Sequence, residues 1–310
     1  MEYVNKTTVK EFILLAFSNF HQFQMLLFII ILLMYMICVT GNLVIIVLVK
    51  IGPDLHTPMY YFISVFAALE ISFVSVTVPK LLAILILGSR TITFIGCFVQ
   101  LFAFNALGVT ECYLLAVMAL DRDLAINNPL RYGAIMSRIF CFKLAFLPWI
   151  ASFTIVLIPT ILTADLDYCG PNEVNHFFCD LAPVQSLSCS NPFISNVVTS
   201  IAAIFASLMP FLLLIGFYIH IIIAISLIKG MDGKKKAFST CSSHLMIASM
   251  FYGSVVSVYI NPKGSQYDKF LSLIYTVIIP TLNPFIYTLR NKDVKIALTK
   301  LKPSQYFTNP

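Results

Sequence analysis

Long apolar runs, broken by short polar intervals, set the pattern of this chain. Seven of them, over 24–49, 58–82, 95–120, 142–162, 196–228, 238–260 and 270–289, come to about the 20 helical residues that a ~30 Å hydrocarbon core requires. The pattern predicts an all-α membrane protein, a bundle of seven transmembrane helices. The second run carries Glu70 and the third Glu111, while 196–228 is long enough to tilt or to extend past the bilayer. The ten-residue alternation of a membrane barrel is absent. Residues 1–23 are mixed polar, with Glu2, Glu11 and no cleavage-like site, so no removable leader is expected. No long repeat or low-complexity tract divides the chain. The predicted organisation is an outer N-terminus over 1–23, one bundle over 24–290 and an inner tail over 291–310.

Composition narrows the classes. Of 310 residues, 59% are hydrophobic and only 11% charged, with a mean hydropathy of +0.90. Soluble domains run roughly 45–50% apolar and about 25% charged. A water-facing surface needs more charge than this, which excludes a soluble enzyme, a disordered chain and a nucleic-acid module.

The net charge of +6 has meaning only by location. Loops after the first, third and fifth runs, with the C-terminus, hold Lys50, Arg122, Arg131, Arg138, Lys143, Lys229, Lys234, Lys235, Lys236, Arg290, Lys292, Lys295, Lys300 and Lys302. The opposite face holds Lys6, Lys10, Lys80, Arg90, Lys263 and Lys269. The richer face belongs in the cytoplasm, which puts the N-terminus outside. There Asn5-Lys6-Thr7 is a glycosylation acceptor. Of eight cysteines, Cys97, Cys169, Cys179 and Cys189 fall on the outer side, where oxidation is permitted. Four cysteines allow three pairings, and spacing does not choose among them. Three lie in the long loop 163–195, which disulfides would hold over the bundle mouth. Cys38, Cys112, Cys141 and Cys241 read as small apolar residues.

Several motifs then resemble one family nearly end to end. They are Gly41-Asn42, Leu55-His56-Thr57-Pro58-Met59-Tyr60, and Met118-Ala119-Leu120-Asp121-Arg122-Asp123. Further along come Asn128-Pro129-Leu130-Arg131-Tyr132, the run Lys236-Ala237-Phe238-Ser239-Thr240-Cys241-Ser242-Ser243-His244, and Pro280-Thr281-Leu282-Asn283-Pro284-Phe285-Ile286-Tyr287. The chain resembles the vertebrate odorant receptors, within the rhodopsin-like G-protein-coupled receptors. It departs from their usual pattern at Glu70 (usually Asp), Leu120 and Asp123 (Tyr), Asn127 (Cys) and Phe217 (Ser). Asp123 is expected to put an extra negative charge beside Arg122.

The resemblance implies a receptor for a small volatile that activates a heterotrimeric stimulatory G protein of the olfactory type and raises cyclic AMP. It also implies a multi-pass plasma-membrane protein, in olfactory cilia, that is not an enzyme and needs no cofactor. Membrane lipids are expected partners, nucleic acid is not. By resemblance, Cys97 pairs with Cys179 and Cys169 with Cys189. The ligand site maps to Phe104, Asn105, Gly108 and Val109 in the third span and Ala202, Ala203 and Ala206 in the fifth. Tyr252, Val255, Val256 and Tyr259 in the sixth and Thr276 in the seventh complete it. Small and aliphatic groups dominate, which suits an apolar, neutral molecule. Phe104 stands where amine receptors carry a carboxylate, and Val277 where opsins carry the Schiff-base lysine.

Each constellation has a bland alternative. Arg122 at the inner end of a span is either a topology anchor or a switch. As a switch it pairs with Asp121, and with Asp123, at rest. By resemblance it is received by Tyr218 and Tyr287 on activation. Glu70 and Glu111 within hydrocarbon are either protonated acids or a site for a hard cation such as Na⁺, with Asn42 and Asn283 nearby by resemblance. Pro210, Pro280 and Pro284 permit kinks, static or moving. His176, three residues before Cys179, invites a metal reading, but a disulfide sulfur is no thiolate ligand, so a structural hydrogen bond is preferred. Lys234-Lys235-Lys236 suits anionic lipid or a docking G protein. Residues 291–301 predict a short amphipathic helix on the inner leaflet. An ion-coupled secondary transporter using Glu70 and Glu111 is the competing function, although no inverted repeat supports it.

Overall fold

The computed structural model describes residues 9–228, 230–260, 266–290 and 292–300. Asn5, Lys6, Lys229, Lys263 and Lys302 lie outside those residues, and so do the side chains of Lys236, Tyr259, Arg290 and Lys292.

Seven rods form the bundle. The first four are α1 (Gln24–Ile51), α2 (Pro58–Leu87), α3 (Phe94–Asn127) and, after the short α4 (Tyr132–Ile135), α5 (Arg138–Ala164). The outer loop contains α6 (Leu181–Gln185). The fifth rod is α7 (Phe193–Ala203), which passes through a π turn at Ile204–Leu208 into α8 (Met209–Leu227). The sixth is α9 (Met231–Ile260). The seventh is α10 (Gln266–Leu273), which passes through a π turn at Ile274–Ile278 into α11 (Ile279–Arg290). The short α12 (Lys292–Lys300) follows, with Val294 buried against the bundle and Ile296 exposed. Among the described residues, six of the rods contain a span apolar and long enough to cross a membrane; the inner end of α9 carries Asp232, Lys234 and Lys235.

Local chemistry sets the ends. Pro58 opens α2, and Gly88 closes it at φ +66°, a left-handed conformation that suits a residue without Cβ. Thr93 Oγ1 caps α3 by accepting from the Gly96 amide at 3.1 Å. At its other end α3 runs past the predicted limit of 120 to Asn127, which lifts Arg122 into the inner rim.

Burial orders the layers. In α3, 67% of the apolar span is buried inside the protein, against 22% in α1. α3 is therefore the central mast. Leu26, Ile30, Leu33 and Ile37 of α1, and Phe146, Ile150, Phe153 and Leu157 of α5, stand bare. Apolar faces of this extent are untenable in water and belong against lipid.

The outer face adds what the helical pattern does not predict. A three-stranded sheet of order β2-β1-β3 is built from β1 (Glu11–Leu14), β2 (Thr91–Thr93) and β3 (Glu173–Val174). β1 runs antiparallel to β2, with Glu11 opposite Thr93, and parallel to β3, with Ile13 opposite Glu173. Part of the predicted N-terminal segment is thus woven into the cap, with Phe12, Leu14, Ala16 and Phe17 buried. Ala16 sits at φ +45°, its amide donating to the His176 carbonyl at 3.0 Å and its carbonyl accepting from Lys269 Nζ at 2.7 Å. Disulfides join Cys97 to Cys179, between α3 and the outer loop, and Cys169 to Cys189 within that loop. Cys38, Cys112, Cys141 and Cys241 are free and buried.

Prolines are more widespread than the three singled out in the sequence. Pro79 lies inside α2, and Pro148 and Pro159 lie inside α5. Pro210 and Pro280 each follow a π turn, whereas Pro284 lies within α11.

Candidate ligand pocket and signalling switch

Phe104 anchors the outer half. Its ring lies 4.4 Å from Phe178 of the outer loop, 5.0 Å from Phe73 of α2 and 6.0 Å from Tyr275 of the seventh rod, centroid to centroid. The disulfide between Cys97 and Cys179 holds Phe178 down beside it. Phe73 also covers Gly108, where a Cβ would stand 3.6 Å from the ring. Asn105 turns its amide nitrogen to the Leu101 carbonyl of its own helix at 2.9 Å. Tyr252 packs on Phe211 and reaches the Cys112 carbonyl at 3.5 Å. Val255 packs against the core, while Ala202 and Ala203 are half-buried. Thr276 is fully buried in the π turn, donating to the Ser272 carbonyl at 2.7 Å.

Three positions differ from expectation. Val256 is half-exposed, on an outward stripe with Leu245, Ser249 and Gly253 whose spacing of three or four residues is one helix face. Half of its side chain therefore lies on the outside of the bundle. Val109 is wedged with Ala106 and Val156 between α3 and α5, with Ala206 leaning on the same group, so both read as packing. A separate outer groove of about 510 Å³ is lined by Lys10, Phe94, Ala164, Tyr168 and Cys169 among others, and none of the ligand-site residues named from the sequence is among its described lining.

The loop run His176-Phe177-Phe178 escaped the sequence reading except for its histidine. His176 Nε2 shares a hydrogen bond with Ser272 Oγ at 3.2 Å, and Phe177 stacks on Phe17 at 5.7 Å. Burial, helped by the nearby Lys269 ammonium, pushes the His176 ring down to about 3, so it is neutral. An aromatic pair beside a bridging cysteine was the available signal.

Midway down, Asn283 Nδ2 donates to Glu70 Oε1. Glu70 Oε2, Glu111 Oε1 and Asn283 Oδ1 are buried with no hydrogen-bond partner among the described residues. Asn42 turns away, donating to Cys38 O at 3.0 Å and Cys38 Sγ at 3.5 Å. No hydrogen bond joins it to the acids.

At the inner end, Arg122 pairs with Asp121 Oδ2, and Tyr132 of α4 donates to Asp121 Oδ1 at 2.6 Å. Burial, then the Asp121 carboxylate, pushes the Tyr132 hydroxyl up, which keeps its proton available for that bond. Tyr218 bonds His244 Nδ1 of α9 at 2.6 Å, with the two rings parallel. The Tyr287 hydroxyl is buried without a hydrogen-bond partner among the described residues. The expectation that Asp123 also serves Arg122 is corrected. Asp123 Oδ1 instead accepts from His220 Nδ1 and Asn127 Nδ2, each at 2.7 Å. Tyr132 and His244 stand inside the resembling motifs; nothing in the sequence marks His220.

The family model described as olfactory receptor matches residues 31–303. The chain belongs to the olfactory receptor family. It is 44% identical to olfactory receptor 11L1 of Homo sapiens over 97% of this chain and 94% of that one. It is also 44% identical to olfactory receptor 6E1 of Mus musculus over 94% of each, and to olfactory receptor 6C75 of Homo sapiens over 98% of each. This olfactory receptor is thus a multi-pass plasma-membrane protein that binds odorants and signals through a G protein, and it is not an enzyme. The transporter alternative is not supported, because receptors match nearly the full length of the chain. Glu70 and Glu111 therefore need a role within a signalling protein.

Proposed function

We propose that this receptor detects a small, mostly apolar, neutral volatile and activates a stimulatory G protein of the olfactory type, raising cyclic AMP. One observation carries the proposal. Asp121, braced by Tyr132, holds Arg122, while His244 holds the Tyr218 hydroxyl that would otherwise meet Arg122. That is a resting arrangement with every part of the alternative arrangement within the same inner layer. Odorant shifts the population by binding better to the state in which Tyr218 and Tyr287 receive Arg122.

The ligand rests against Phe104, Asn105, Gly108, Ala202, Ala203, Tyr252, Val255 and Thr276, with Tyr259 one turn farther along the sixth rod. Burial of its apolar surface supplies most of the affinity, about 25 cal/mol per Å². Three buried oxygens without a hydrogen-bond partner among the described residues, on Glu70, Glu111 and Asn283, fit a hard cation such as Na⁺. These residues would hold the ion and favour the resting state. Residues 1–23 form the outer segment, with Asn5 glycosylated, 24–290 the bundle and 291–310 the inner tail. Lys234 and Lys235 meet anionic lipid or the G protein.

The test is a cyclic-AMP reporter in cells co-expressing the stimulatory G protein, challenged with a panel of volatiles. Arg122→Ala is expected to abolish the evoked signal at normal surface expression. Undiminished signalling in that variant would refute the switch.

A further inference from the structure

One cluster at the inner rim plays no part in the switch described above. Asp123 of α3 is buried, with 9% of its side chain exposed, and the side chain of His220 of α8 is 59% exposed. His220 Nδ1 and Asn127 Nδ2 lie 3.3 Å apart and converge on the same carboxylate oxygen. Both are donors there, so Nδ1 of the ring carries the proton. A carboxylate bonded by a ring N–H is a charge-assisted contact, stronger than a neutral one, and here one partner is shielded from water. Two of the three residues, Asp123 and Asn127, stand where this chain departs from the family pattern.

The position matters. Asp123 follows Arg122 by one residue, and His220 follows Tyr218 by two. The cluster therefore ties α8 to α3 at the level where Tyr218 must leave His244 to reach Arg122. It coexists with Arg122 bound to Asp121 and Tyr218 bound to His244.

We propose that Asp123 and His220 form a second lock, which holds α8 in its resting position against α3 and sets the basal output of the receptor. This inference rests on the coupling proposed above. Asn127 steadies the carboxylate. The lock is released when α8 shifts, so its strength is subtracted from the ligand's preference for the active state.

The experiment compares wild type, His220→Ala, Asp123→Ala and the double variant, with surface level read from an N-terminal tag. Basal cyclic AMP per surface receptor is expected to rise roughly two- to five-fold in each single variant, the range for a partly exposed polar contact. The double variant should rise no further than the larger single effect. The exchange Asp123→His with His220→Asp should return basal output toward wild type. Unchanged basal output, or single effects that multiply in the double variant, overturns the lock. Asp123→Asn, which keeps the shape and removes the charge, covers the case in which Asp123→Ala does not reach the surface. Melting of the purified receptor reads the contact without any G protein. His220→Ala should lower the melting temperature in wild type and not in the Asp123→Ala background; equal losses in both overturn the contact itself. A receptor that passes the melting test but raises no cyclic AMP with any volatile defeats the coupling reading. A receptor that answers a volatile while its lock variants stay at wild-type basal output defeats the lock alone.

Discussion

Gln100 is a buried amide that serves three elements at once. Its Nε2 donates to the Val76 carbonyl of α2 at 3.0 Å, and its Oε1 accepts from the Cys179 amide of the outer loop at 3.0 Å. Gln100→Leu strands both partners and should cost about 1–3 kcal/mol, read as a lower melting temperature of the purified receptor. His176 gives a pH dependence. Its ring is pushed from 6.5 to about 3 in the fold, so below pH 6.5 the unfolded chain takes up the proton first. Its contribution to stability is complete above 6.5 and is lost progressively as pH falls toward 3. The melting temperature should therefore drop between pH 7.5 and 5, and His176→Asn should flatten that drop. A slope unaltered by the substitution would assign the acid sensitivity elsewhere. At this scale the sequence was most legible where chemistry is costly. A charge or carboxylate within a hydrophobic run, as at Glu70, Glu111 and Arg122, announces itself. His220 and Gln100 do not, because polar residues near a rim are ordinary and their partners lie 97 and 79 residues away.

Among the elements, the two π turns share a rule. Ile204–Leu208 ends two residues before Pro210, and Ile274–Ile278 ends two residues before Pro280. A proline donates no hydrogen bond to the preceding turn, and a widened turn absorbs the mismatch. Near the first, the Phe205 carbonyl is taken by the Tyr113 hydroxyl of α3 at 2.7 Å. Tyr113→Phe should leave that carbonyl without a strong donor beside lipid, lowering the melting temperature and shifting the odorant dose-response curve. At the α1–α11 crossing, a Cβ on Gly41 would meet Pro284 Cβ at 3.1 Å. Gly41→Val should therefore push α1 from the kink and cost about 1–3 kcal/mol, measured in the same melting assay. The rods were readable because twenty apolar residues in a row leave no other solution. The strands were not, since β1 and β2 span four and three residues and pair across some eighty positions, below what any period can show. The outward turn of Val256 was hidden for a related reason: helix spacing gives a face, but the neighbours decide which face looks inward.

For the whole molecule, the expected topology puts the amino end outside and the carboxyl end inside. Tags at the two termini should be reached by antibody without and only with permeabilisation, respectively. Sodium supplies a second global test. If the ion favours the resting state, removing sodium should raise the potency of an odorant, and Glu70→Ala with Glu111→Ala should erase that difference. A sodium effect that survives both changes would place the ion elsewhere.

The uninterrupted length of α3 has one more consequence. Phe104 and Arg122 stand 18 residues apart on a helix with no proline, a separation of about 27 Å at 1.5 Å per residue. No proline interrupts that shaft, so it lacks the joints of its neighbours. News of an arriving scent molecule is expected to reach the cytoplasm through α7–α8 and α10–α11, hinging around that column.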